Sequence, residues 1–144
     1  MGRCGSLLWA DLHLPTEAQW EYAARANTDS TTADPSGFAW YSGNSGNKLH
    51  PVCQKAPNAW GLCDMLGNAW EWVADFYDSK YYLRSVSENP SGPVESDPPT
   101  SKLHVMRGGM VDLDQSRIRV SDSDYYADTV KTPRVGFRCV GDLR

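Results

Sequence analysis

Zinc-knuckle spacing is missing from this chain: its four cysteines, Cys4, Cys53, Cys63 and Cys139, form no Cys-x-x-Cys pair. A knuckle of that kind is therefore excluded. Two disulfides are possible in three pairings, and spacing alone cannot choose among them. The favoured reading is free, partly buried thiols. No apolar run of 18 residues occurs, so no transmembrane helix is expected. The start lacks the charged-then-apolar pattern of a secretory signal. Met1 to Ser6 does fit a myristoylation pattern with a palmitoylatable Cys4, but so short a pattern often arises by accident. Basic charge is scarce as well. Fourteen Lys and Arg against eighteen Asp and Glu leave a net charge of −4. A nucleic-acid binder needs a basic face to displace counterions, so that class is excluded. No internal repeat is visible.

What is present is globular. Hydrophobic residues make up 40% and charged residues 22% of the 144 positions, enough for one domain spanning residues 1–144 with a real core. Six Trp, seven Tyr and three Phe supply much burial per residue, which suits a loop-rich domain. The expectation is a soluble monomer, cytoplasmic by default.

The clearest helix signal runs from Leu14 to Arg25. Thr16 and Gln19 make a capping box. Glu17 lies in the first turn and Arg25 in the last, where the helix dipole favours each. Trp20, Ala23 and Ala24 share a face that Ala18 and Tyr22 extend, and Asn27 can end the helix. Residues 28–57 read as loops with short extended pieces at Phe38–Tyr41 and His50–Val52. Asn68 to Phe76 reads as a strand with Trp70, Trp72 and Ala74 toward the core. Residues 85–101 are Pro, Ser and Glu rich, hence a long surface loop. Further strands are expected at Leu103–Arg107, Arg117–Ser121 and Arg134–Val140, the last with Val135, Phe137 and Cys139 inward. One helix, short strands and long connections give an α+β domain with an antiparallel sheet.

Five segments occur in an order that composition does not explain. They are Leu14 to Arg25, His50-Pro51-Val52, Pro57 to Trp72, Arg107-Gly108-Gly109 and Gly136-Phe137-Arg138. The third ends in Gly67-Asn68-Ala69-Trp70-Glu71-Trp72, the most specific block. Together they resemble the formylglycine-generating-enzyme (sulfatase-modifying factor) domain over about residues 12 to 140. The resemblance implies a C-type-lectin-like fold with small antiparallel sheets. It also implies a family that holds copper oxidases of sulfatase cysteines, sulfoxide synthases, kinase-attached sensor domains and retroelement-diversified receptors. Fold alone does not choose among them. The chain starts just before the helix, so it is expected to be a minimal domain or a fragment.

In the oxidases of that family, the double glycine is followed by Ser and then by two cysteines that bind copper(I). The matching positions here hold Met110, Leu113 and Ile118. Aliphatic side chains cannot ligate a soft metal, so copper is not expected. His13, His50 and His104 form no ligand set. Calcium is the cofactor that the resemblance leaves open, with Asn68 and Glu71 as ligands helped by carbonyls near Gly67 and Ala69. The competing reading has Asn68 capping a turn and Glu71 pairing with a base such as Arg138.

Residues 110–133 depart most from the family pattern, while the frame on either side is intact. The candidate ligand-binding residues are Val111, Asp112, Asp114, Asp122, Ser123, Asp124, Tyr125 and Tyr126. Tyr and Ser are good recognition residues, rigid rings beside adaptable hydrogen bonds. Asp, Ser, Tyr, Val and Leu are also what adenine mutagenesis of asparagine codons yields. The expected function is a non-catalytic domain that binds a protein or small-molecule ligand, of the retroelement-diversified type. The alternatives are a formylglycine-generating oxidase and an accessory domain of a larger protein.

Overall fold

The computed structural model describes residues 9–28 and 34–143; Cys4 and the lipidation pattern at the start lie outside them. Five short segments pair as strands around one helix, with a sixth strand closing the last turn of chain. In order they are β1 (Trp9–His13), α1 (Glu17–Arg25), β2 (Trp70–Phe76), β3 (Leu103–Arg107), β4 (Ser123–Ala127), β5 (Val135–Phe137) and β6 (Val140–Leu143). One sheet has the order β4-β3-β2-β5, and β1 pairs with β6 in a second. The expected α+β architecture holds. The expectation of purely antiparallel pairing does not, because β5 runs parallel to β2.

Thr16 caps α1 as read: its hydroxyl accepts from the Gln19 N–H at 3.2 Å, and Gln19 Oε1 accepts from the Thr16 N–H at 2.8 Å. Ala26 and Asn27, both at positive φ, end the helix. Glu17, Trp20 and Ala24 face inward. Tyr22 does not extend that face and is 67% exposed, because residues two apart on a helix point to different sides.

β2 corrects the reading of its inward face. Trp70 is buried, but beyond it Val73 and Asp75 point inward while Ala74 is exposed. Strict alternation fails because the pairing with β3 shifts register between Trp72 and Phe76, the signature of a bulge. The strand expected at Arg117–Ser121 is absent. A short 3-10 turn at Gln115–Arg117 takes its place, and β4 follows instead. Asp114 nucleates that turn by accepting the Ser116 N–H at 2.9 Å. The strand expected over Arg134–Val140 is split between two sheets. Phe137 is 67% exposed and Cys139 is exposed, since the chain there leaves one sheet edge for the other.

The core joins Trp20 and Ala24 of α1 to Val73, Val105, Met65, Leu66, Ala39 and Tyr41, with Ile118 and Val120 from the divergent segment. Gly67 sits at φ 73°, and a Cβ there would run into the Trp40 carbonyl, so only glycine serves. The free-thiol reading is overturned at one pair: Cys53 and Cys63 form a disulfide, their Cα atoms 5.1 Å apart. The turn between them, in which Asn58 binds Leu62 and Gly61 binds Asn58, doubles the chain back.

Candidate functional site

Gly108 and Gly109, at φ 98° and 83°, turn the chain out of β3 in a conformation that L side chains avoid. A Cβ on Gly109 would lie 3.0 Å from Ile118 Cδ1 and 3.5 Å from Leu113 Cδ1. The two aliphatic side chains thus converge on the double glycine. Ile118 is buried and Leu113 packs on the core. This donor set does not fit copper, which needs thiolates. Cys53 and Cys63 are consumed by their disulfide, and Cys139 is the one free thiol among the described residues.

The divergent segment divides between the interior and the surface. Val111, read as a surface contact, is fully buried. Its N–H donates to the Asn68 carbonyl at 3.1 Å and its carbonyl accepts from Ser45 at 2.6 Å, which draws it inward. Asp122 is also buried rather than displayed. It takes Arg117 Nε at 3.1 Å and Arg119 Nε at 2.8 Å, so one carboxylate is shared by two guanidinium groups. Asp112 pairs with Arg134. Asp114 is held below the usual carboxylate range by the backbone N–H of Ser116.

β4 brings the remaining candidates together: Ser123, Asp124, Tyr125 and Tyr126. Tyr125 and Tyr126 are 42% and 45% exposed. Paired residues of neighbouring strands share a face. Tyr126 lies opposite His104, whose ring meets Phe76 at 4.0 Å and Trp72 at 6.3 Å. Tyr125 lies opposite buried Val105 and stacks on Tyr77 at 3.7 Å. The two tyrosines therefore flank the strand, one on each face. Tyr77 was not legible as part of this surface, because 48 positions separate it from Tyr125 and nothing local links them.

Around Asn68 the structure favours protein partners. Its Oδ1 accepts the His50 N–H and its Nδ2 donates to the His50 carbonyl, both at 3.0 Å. Glu71 takes Arg138 in a fork at 2.6 Å on each oxygen and Trp20 Nε1 at 2.7 Å. Asp64 differs: its Oδ2 accepts the Cys53 N–H at 2.7 Å, while its buried Oδ1 has no hydrogen-bond partner. Asp64, Gly67, Ala69, Glu71 and Arg138 line one cavity of about 420 Å³. For a hard cation, Asp64 Oδ1 is a freer oxygen than the Asn68 amide, which is engaged with His50. Glu71 would be shared with Arg138. The sequence signal for Asp64 is a lone carboxylate just ahead of the Met65–Gly67 turn.

A third polar cluster holds the frame. Arg107, only 1% exposed, meets Glu17 at 3.2 Å and also pairs with Glu21. It donates to the Val120 and Ser121 carbonyls at 2.6 and 3.2 Å. Tyr82 donates to Glu17 at 2.7 Å, and the Glu17 N–H donates to Asp75 at 2.7 Å. Burial raises Asp75 to about 6.

A single helix packed on a small curled mixed sheet, with long loops and a strand pair joining the chain ends, defines a C-type-lectin-like fold. Within that class, the chain belongs to the sulfatase-modifying factor enzyme 1-like domain family, whose pattern matches residues 7–143. It is 34% identical to the formylglycine-generating enzyme of Streptomyces coelicolor, over 93% of this chain and 48% of that protein. A serine/threonine-protein kinase, pkn1 of Chlamydia caviae, is 29% identical over 99% of this chain and 23% of the kinase. Among solved structures, Treponema denticola variable protein 1 is similar at a TM-score of 0.78 and 34% identity, over 89% of this chain and 46% of that one. PvdO from Pseudomonas aeruginosa reaches a TM-score of 0.76 at 25% identity, over 92% of this chain and 53% of that one. The chain spans about half the length of the curated enzyme it matches.

Proposed function

We propose that this domain is a non-catalytic binding module, recognising a protein or small-molecule ligand through a surface centred on β4. The carrying observation is the packing at the double glycine. Ile118 and Leu113 fill the space beside Gly109, where an oxidase of this family would need two thiolates. Similarity to the Treponema variable protein supports a diversified receptor on this scaffold. Within the divergent segment Val111, Ile118 and Val120 are buried with Asp122, while Ser123, Tyr125 and Tyr126 of β4 are exposed. A near-identical template repeat and a reverse transcriptase beside the gene are the expected genomic companions of that type.

The test is direct. The purified chain is loaded with copper(I) and incubated with a peptide carrying the Cys-x-Pro-x-Arg sulfatase motif. No thiol-to-aldehyde mass change is expected; such a change would overturn the reading. In a ligand screen, Tyr125→Ala with Tyr126→Ala is expected to abolish binding. Hits left unchanged by both substitutions would remove β4 as the recognition surface.

Were calcium to bind at the Asn68 and Glu71 site, Asp64 would supply its free oxygen, since Asn68 is engaged with His50 and Glu71 with Arg138. Calcium is expected to raise the melting temperature of the native chain and not of Asp64→Ala. A second reading, an accessory domain of a larger protein, is favoured by the match to the chlamydial kinase, of which this unit covers under a quarter. The full-length gene decides it.

A further inference from the structure

The Cys53–Cys63 bridge reaches Asp64 from two directions. Cys63 precedes Asp64 in the chain, and the Cys53 N–H donates to Asp64 Oδ2 at 2.7 Å. Asp64 itself is 9% exposed, and its Oδ1 has no hydrogen-bond partner among the described residues. A buried carboxylate oxygen without a donor is costly to keep. It is also what a hard cation takes as a ligand.

The backbone at both ends of that hydrogen bond is held in an uncommon state. Cys53 lies at φ 60° and Asp64 at φ 51°. Aspartate visits this left-handed region with some ease, but cysteine does not. Such a conformation persists where the surroundings over-determine it. At Cys53 the bridge and the bond to Asp64 do so together.

The same turn ties in the other charged groups of the cavity. Arg138 Nη2 donates to the Cys63 carbonyl at 3.2 Å and to the Asp64 carbonyl at 3.4 Å, while its fork holds Glu71. Cys53, Cys63, Asp64, Glu71 and Arg138 line one cavity of about 420 Å³. Cys53 is exposed and Cys63 half-buried, so a thiol reductant can reach the bridge.

Reduction is therefore chemistry on the cavity wall. A dithiol attacks one sulfur of the bridge as its thiolate and forms a mixed disulfide. Its second thiolate then closes a cyclic disulfide on the reductant. The reductant gives up two electrons, and the bridge becomes two thiols with two protons. Cys53 is then free to leave its left-handed conformation, and its N–H to leave Asp64 Oδ2.

We propose that the Cys53–Cys63 bridge is a redox switch on divalent-cation binding in this cavity: closed, it positions Asp64, and opened by a dithiol, it releases the carboxylate. The inference rests on the reading of calcium at Asp64 and adds what controls it. Groups that orient a ligating carboxylate are worth about ten- to hundredfold in metal affinity.

The test uses the full chain with Cys4→Ser and Cys139→Ser, so that only the bridge cysteines exchange. Calcium alone is titrated by calorimetry against the oxidised chain, the chain reduced with dithiothreitol, and the chain reoxidised. Affinity is expected to fall about ten- to hundredfold on reduction and to return on reoxidation. Cys53→Ser with Cys63→Ser is expected to bind as weakly as the reduced chain and to ignore dithiothreitol. Hydrogen exchange on the same samples checks the cause: protection of the Cys53 amide should fall and that of β3 should persist. Loss of protection throughout β3 would make the bridge a staple of the whole fold and overturn the switch. Equal affinity of oxidised and reduced chains, with binding abolished by Asp64→Ala, would overturn the switch and leave the cation site standing. Binding that survives Asp64→Ala would remove Asp64 from the site, and the switch with it. No binding to the oxidised chain would overturn the calcium reading itself and this inference together.

Discussion

β3 has two neighbours that treat polar groups in opposite ways. On the β2 side, Glu71, Asp75 and Arg107 are enclosed, and each meets partners from distant parts of the chain. On the β4 side, Ser123 and both tyrosines are exposed, and the Tyr125 N–H donates to its neighbour's carboxylate. A buried polar group without partners costs more than it returns, so the enclosed side tolerates little change. An exposed strand face carries no such debt. The same scaffold therefore holds one side constant in chemistry and leaves the other open to variation.

Arg107 is where breaking the enclosed side should cost most. Its replacement by Met keeps volume and deletes the cation, leaving Glu17 and Glu21 facing each other beside Asp75. Removal of one partner from a buried ionic cluster costs about 3–5 kcal/mol. Urea denaturation of Arg107→Met should show a loss of that size. A loss under about 1 kcal/mol would mean the cluster is no better than a surface pair.

Next in size is the disulfide of the Cys53 to Cys63 turn. That turn carries Asn58, whose Nδ2 donates to the Ala23 carbonyl at 2.7 Å near the end of α1. The bridge therefore ties a surface loop to the helix. For a loop of sequence separation 10, chain entropy gives about 2–3 kcal/mol. Cys53→Ser with Cys63→Ser should lower stability by that amount and increase hydrogen exchange at the last turn of α1. Unchanged exchange there would show that the tie does not reach the helix.

The pH arm concerns Asp75. Its folded value of about 6 lies above the ordinary aspartate value of 3.8, chiefly because burial disfavours the carboxylate. The folded state therefore binds the proton more tightly than the unfolded chain. Asp75 contributes stability that is fully present below about pH 4 and is lost as pH rises through about 6. Asp75→Asn, which still offers an oxygen to the Glu17 N–H, should remove that fall. Parallel stability curves for the two proteins across pH 4 to 7 would break the assignment.

The sequence was most legible where a signal is local. Thr16 with Gln19 is a short-range hydrogen-bond pattern, and it set the start of α1. The replacement of thiolates by Leu113 and Ile118 was a matter of side-chain chemistry alone, and their burial together follows from it. Legibility failed where partners are distant in the chain. Arg117 to Ser121 alternates like a strand, yet Asp122 gathers Arg117 and Arg119 into a turn and moves the strand onward to Ser123. Composition cannot tell an exposed acid from Asp122 held between two arginines, and the partners that draw Val111 inward, Ser45 and Asn68, lie far away in the chain. The inward turn of Asp75 depended on a backbone N–H in α1, 58 positions away. The Cys53–Cys63 bridge had no spacing signature to announce it.

Tyr126 provides the sharpest contrast with Arg107, and the smallest effect on folding. Its ring stands on the outer face of the sheet beside His104, 45% exposed. Burial lowers the His104 pKa, and Tyr126 is its partner across the strands. A cross-strand pair of this kind is worth about 0.2–1 kcal/mol. Tyr126→Ala should therefore shift the urea midpoint slightly, while binding falls by about 2 kcal/mol or more if the ring anchors a ligand. The ratio of the two losses is the informative quantity. A variant that loses more folding free energy than binding free energy would place Tyr126 with the enclosed side of β3, and the division between the two neighbours would fail at its most exposed aromatic ring.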